Sequence, residues 1–167
     1  LIRKFHEAKV ENKDSVTIWG TGKPLREFMY VEDLANAIVF MMEKIEAKDL
    51  YEKGITHLNV GSGKDIAISD LAKLISEITG FNGKIEYDST KPDGTPRKLM
   101  DVTRINSLGW KYKTELKEGI IKAYIGEGAL TDDVLNTFGT RAVAQITDLQ
   151  GLMQYVCRNG FEHHVVM

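Results

Sequence analysis

Apolar residues recur along this chain in two alternating rhythms, one helical and one extended. Residues 1–9, "LIRKFHEAK", repeat at helical spacing and predict the end of an amphipathic helix. "VTIWG" (16–20) and "REFMYV" (26–31) predict extended segments. A helix is then expected from Val31 to about Ile45, opened by Glu32 and Asp33 in its first turn. "THLNVG" (56–61) reads as a compact strand. The next helix is expected over Leu71–Thr79, capped by Ser69 and Asp70 and stopped by Gly80. "KIEYD" (84–88) predicts another strand, followed by a short helix near Thr103–Leu108 and a helix over Leu116–Tyr124. Alternation of this kind predicts a layered α/β fold.

The pattern changes near residue 125. "IGEGALTDDVLNTFGT" has no clear period, and the residues after it read as strand, helix capped by Asp148, and strand. A boundary there gives two units, 1–124 and 125–167, the second a short β-α-β-like appendage. Its apolar content predicts an ordered tail, and two unsatisfied surfaces in one chain predict a homo-oligomer.

Composition narrows the partners. The net charge of −2 argues against a general nucleic-acid or membrane-surface binder, so any cationic site must be local. The longest apolar run, Ala37–Met42, is too short to span a bilayer, and no signal peptide is visible. The single Cys157 excludes an internal disulfide and fits a reducing compartment, so a cytoplasmic location is expected. A first residue of Leu1 rather than Met is the mark expected of a fragment.

The local cationic site is sought in "KPDGTPRKLMDV" (91–102). Pro92, Asp93 and Gly94 make a stiff turn, and Arg97 and Lys98 follow at its exit. A preorganised loop loses little entropy on binding an anion. The bland alternatives are a solvated basic turn, a surface ion pair between Arg26 and Glu27, and a core position for Trp19.

Two motifs mislead. Tyr87 and Lys91 spell Y-x-x-x-K, but that pattern works on a helix face, and Pro92 disfavours helix at Lys91. Gly61-Ser62-Gly63-Lys64 lacks the third glycine of a dinucleotide fingerprint and the spacing of a P-loop, so it reads as a tight connection.

Together, "LIRKFHEA", "VTIWGTGKPLREFMYVEDLA", "HLNVGSGKDIAISDLA", "KPDGTPRKLMDV" and "SLGWK…LKEG" resemble the C-terminal portion of GDP-L-fucose synthase. That family belongs to the extended short-chain dehydrogenase/reductase superfamily. It makes GDP-L-fucose from a GDP-4-keto-6-deoxymannose intermediate by epimerisation and NADPH-dependent reduction. The resemblance implies that residues 1–124 are the substrate-binding part of such a protein without its Rossmann half. It carries GDP-sugar contacts onto Lys4, Trp19, Arg26, Asp93 and Lys98. Lys4 stands where Arg is also found, which removes a bidentate contact there. The NADP motif and the Ser/Tyr/Lys triad belong to the full-length parent, so no catalytic residue and no cofactor are expected for this chain alone.

The tail departs from that family. "LTDD…TFGTRAV", "LQGLMQYVCRNG" and "GFEHHV" are similar to a C-terminal stretch of the L-fucose isomerase-like proteins. That resemblance implies a metal-ligand role for His163 or His164. Adjacent residues on a strand face opposite ways, so at most one would serve, and the upstream carboxylates of such a site are missing. Two families meeting near residue 125 imply a chimera. Three functions are thus in play: the substrate-binding portion of an oxidoreductase, a non-catalytic GDP-sugar-binding or structural fragment, and a metal-binding isomerase-derived module.

Overall fold

The computed structural model describes residues 1–125, and the expectations for the tail, with His163 and His164, lie outside the described residues. In chain order the elements are α1 (Ile2–Val10), β1 (Ser15–Trp19), β2 (Leu25–Glu27), α2 (Val31–Lys44) and α3 (Ala47–Tyr51). There follow β3 (Asp65–Ala67), α4 (Ile68–Thr79), β4 (Lys84–Asp88), β5 (Arg97–Lys98), α5 (Thr103–Ser107) and α6 (Leu116–Ile125). The expected α/β alternation holds. β1 and β4 form a parallel two-stranded sheet, and a three-stranded sheet runs in the order β3-β2-β5. β2 is antiparallel to β3 and parallel to β5.

The main core lies where α1, α4 and α6 meet β1. Phe5 and Ala8 face inward from α1, Val16 and Ile18 from β1, Leu71, Ala72 and Ile75 from α4, and Ile120 from α6. Phe5 and Phe81 pack edge to face with ring centroids 5.6 Å apart. The buried Thr79 hydroxyl donates to the Ile75 carbonyl at 2.8 Å, so no polar cost remains inside. A second cluster joins Ala37, Ile105 and Trp110, whose indole N–H donates to Asn36 at 3.0 Å. Buried Asp33 accepts from the Thr114 backbone N–H at 2.8 Å, which ties the start of α2 to the segment entering α6.

Three expectations need correction. "THLNVG" is not a strand: residues 56–60 carry no regular pairing, and the strand comes later, at Asp65–Ala67. α3 and β5 were not anticipated. Ser69 and Asp70 do not cap α4 from outside; they lie within its first turn, and Ala67 is the cap residue. Backbone carbonyls of the 20–24 loop do that work. Ile68 N–H donates to Pro24 at 3.1 Å and Ser69 N–H to Gly22 at 2.8 Å. β3 therefore passes into α4 with no linker. At the other end the reading holds, since Gly80 takes the left-handed conformation at φ 71° and closes the helix.

Ile75→Ala should cost about 3 kcal/mol, the usual scale for emptying a fully buried aliphatic site. Gly80→Ala should cost about 1 kcal/mol, because alanine resists positive φ. Urea denaturation of both variants against the parent chain checks the sizes and their order.

Candidate functional site

Alternation along the three-residue β2 separates two surfaces. Arg26 points to one face of the sheet, and Leu25 and Glu27 to the other. β5 pairs in parallel with Arg97 beside Leu25 and Lys98 beside Arg26. Arg97 and Lys98, adjacent in sequence, thus part company. Arg97 joins the Leu25 face, reaches across β2 and donates its Nε–H to Asp65 at 2.5 Å. That hydrogen bond holds the Asp65 carboxyl below its ordinary range. Lys98 joins the Arg26 face. It makes no hydrogen bond or ion pair among the described residues, and Arg26 bonds only to the Leu25 carbonyl, at 2.7 Å. Two cations therefore stand side by side on one face with no carboxylate partner among the described residues.

The loop between β4 and β5 runs along this face and touches each neighbouring part. At its start the Asp88 carboxylate accepts from the Thr90 N–H at 3.0 Å and the Thr90 hydroxyl at 2.5 Å, curling the chain back. The curl sets the Lys91 ammonium 5.9 Å from the Trp19 ring centroid. Trp19 itself is 72% exposed, which excludes the core reading. Next, Asp93 accepts from the Thr21 N–H at 2.8 Å and the Thr21 hydroxyl at 2.6 Å. The Thr21 hydroxyl, then its amide, keep the Asp93 carboxyl below its usual range. Gly94 lies under the Arg26 guanidinium: a β-carbon there would come within 2.9 Å of Nη2. Finally the Pro96 carbonyl accepts from Leu25 N–H at 2.8 Å as the loop enters β5.

Of the residues singled out in the sequence, the structure brings together Arg26 and Lys98, with Asp93 and Trp19 linked through the same loop. Lys4 is elsewhere engaged, its ammonium donating to the Thr17 carbonyl on β1. Sequence reading missed Thr21 and Glu27. Glu27 is not the ion-pair partner of Arg26; its carboxylate serves backbone N–H groups on the opposite face. Tyr87 lies on β4 and Lys91 beyond the turn, so Y-x-x-x-K shares no helix face, as expected. The Gly61–Lys64 segment leads into β3, and its Gly63 N–H is already given to Glu27 at 2.7 Å. This segment is thus a tight connection into β3 and not a dinucleotide phosphate cradle. Among the described residues no three His, Cys, Asp or Glu side chains are placed to hold a metal ion, and no helix is long and apolar enough to cross a membrane. A cavity of about 650 Å³ beside Asn12, Gly80 and Lys84 lies away from the cationic pair.

Two family models match different parts of the chain. Residues 1–61 match the NAD dependent epimerase/dehydratase family, and residues 111–167 match the L-fucose isomerase C-terminal domain. The first match conflicts with the expectation that the chain lacks its whole Rossmann half, which is withdrawn in that form. A probable GDP-L-fucose synthase of Oryza sativa is 52% identical over 124 residues, covering 74% of this chain and 36% of that protein. The GDP-L-fucose synthase of Escherichia coli is 43% identical over 126 residues, covering 74% of this chain and 39% of that protein. Among solved structures, a GDP-mannoheptose C4 reductase from Campylobacter jejuni with NADP bound is 43% identical, with a TM-score of 0.64 over 72% of this chain and 40% of that one. A GDP-6-OMe-4-keto-L-xylo-heptose reductase from the same organism is 37% identical, with a TM-score of 0.67 over 72% of this chain and 44% of that one. The chain spans between a third and two-fifths of the length of these curated relatives. Its α/β fold is that of the extended short-chain dehydrogenase/reductase superfamily.

The Asp93–Thr21 contact carries a pH signature. A carboxyl with a lowered folded pKa contributes stability that is present above its unfolded value and is lost as pH falls through the folded one. The Thr21 amide resonance, followed by NMR, should therefore titrate with a midpoint below the ordinary 3.8. Asp93→Asn should abolish that titration.

Proposed function

We propose that residues 1–124 form part of the GDP-sugar-binding surface of a GDP-L-fucose synthase-like protein. Arg26 and Lys98 meet the diphosphate, Trp19 offers its exposed ring to the base, and Asp93 holds the loop that borders them. The observation that carries this reading is the pair of neighbouring cations on one sheet face, neither matched by a carboxylate among the described residues. An anionic ligand supplies what the fold leaves out, and a guanidinium beside an ammonium suits two linked phosphates. Lys4, whose ammonium donates to the Thr17 carbonyl, is the further substrate contact that the family resemblance implies. The curated relatives support the substrate class, since one is named a GDP-L-fucose synthase and the other a probable one, and the two solved reductases carry GDP-sugars in their names.

The matches to residues 1–61 and 111–167 support reading the chain as a junction of two families. The runner-up is a non-catalytic fragment that binds GDP-sugar. Such a fragment would hold the sugar nucleotide without supplying the positioned acid and cofactor that hydride chemistry needs.

Calorimetry with GDP should show binding that Arg26→Ala and Lys98→Ala each weaken about tenfold, the scale of one charge-assisted hydrogen bond. Unchanged binding by the double variant would reject the assignment. With NADPH and the GDP-4-keto sugar, the purified chain should show no NADPH oxidation; turnover that copurifies with the chain would reject the non-catalytic reading.

A further inference from the structure

The Glu27 carboxylate stands where three segments meet. Its Oε1 accepts from the Gly63 N–H at 2.7 Å and the Ser62 hydroxyl at 3.3 Å, and its Oε2 accepts from the Met100 N–H at 2.9 Å. A β-carbon on Gly61 would lie 2.4 Å from Oε1, so the 61–63 loop is shaped around this one group. Nearby, Asn59 donates to the Asp101 carbonyl at 3.2 Å, which draws the same loop against the chain leaving β5.

The backbone pairing of β5 with β2 covers two residues, Leu25 with Arg97 and Arg26 with Lys98. So short a ladder holds register weakly. Immediately beyond Lys98 the ladder stops, and the Glu27 side chain takes over as acceptor for the Met100 N–H. Lys98 is thereby held between a two-residue pairing on one side and a charged hydrogen bond on the other. Glu27 does this from the face opposite the cations, so it touches no ligand bound there.

We infer that Glu27 is a positioning residue for GDP binding: it fixes the register of β5 and so sets Lys98 beside Arg26. This rests on the GDP reading above. Its chemistry is a carboxyl group with both oxygens accepting from different segments. Glutamine can accept through only one oxygen, and its NH2 meets the remaining N–H donor unfavourably.

The test is a double-mutant cycle on the full chain, with GDP as the probe in calorimetry. Glu27→Ala and Lys98→Ala should each weaken GDP about tenfold, and the double variant should bind no worse than Lys98→Ala alone. Both single variants should flatten the salt dependence of GDP affinity by the same amount, because both remove the same cation from the phosphates. A merely structural loss would lower affinity without changing that slope. If Glu27→Ala fails to fold, judged by circular dichroism, Glu27→Gln carries the same cycle. Losses that multiply in the double variant, or an unchanged salt slope, would overturn the role of Glu27 while leaving the GDP site standing. Absence of GDP binding by the parent chain would remove the site and the inference together.

Discussion

Strand alternation across Leu25, Arg26 and Glu27 is the constraint from which the cationic face follows. The pleat turns a basic and an acidic neighbour to opposite sides, so they do not neutralise each other. Each end of the strand is then tied to something different. Before it, carbonyls of Gly22 and Pro24 cap α4, whose inner face carries the main core. After it, Glu27 gathers the loops at 61–63 and 100. The Arg97–Asp65 pair bridges the sheet on the acidic side, with Arg97 58% exposed, so it contributes little stability by itself. Its effect is to engage Arg97 on that side, while Arg26 and Lys98 stand on the other.

Much of this was legible from the residue pattern. The helices from Val31 and to Gly80, and the strand "KIEYD", follow from periodicity and from a glycine that tolerates positive φ. The loop at 91–98 announced itself by its prolines and its Asp-Gly step. What could not be read was pairing. β3 and β5 hold three and two residues, too few to show a period of two, and they exist because β2 lies between them. The capping of α4 by distant carbonyls leaves no local signature, and so Ser69 and Asp70 drew attention they did not merit. Glu27 was hidden for the same reason: beside Arg26 a glutamate looks like a salt-bridge partner, and its true partners lie 35 to 73 positions away.

The core and the cationic face differ in how they are held. Phe5, Leu71, Ile75 and Ile105 are sealed by apolar packing. Arg26, Asp93 and Lys98 are placed by hydrogen bonds of the 88–100 segment near solvent. Regions of the second kind open at lower free energy than the core does. The cationic face should therefore open more readily than the helices behind it.

Gly94 beneath Arg26 and Gly61 against Glu27 bear on how such a chain can drift over generations. Each glycine has given its side-chain volume to a long charged residue from another segment. A methyl group at position 94 would press on the Arg26 guanidinium and one at position 61 on the Glu27 carboxylate, and in each case the tip of a flexible side chain must move aside. A change at either glycine would thus be felt first at a charged group two segments away: at position 94 it re-aims a cation, and at position 61 it disturbs the hydrogen bonds that Glu27 accepts from Gly63 and Met100.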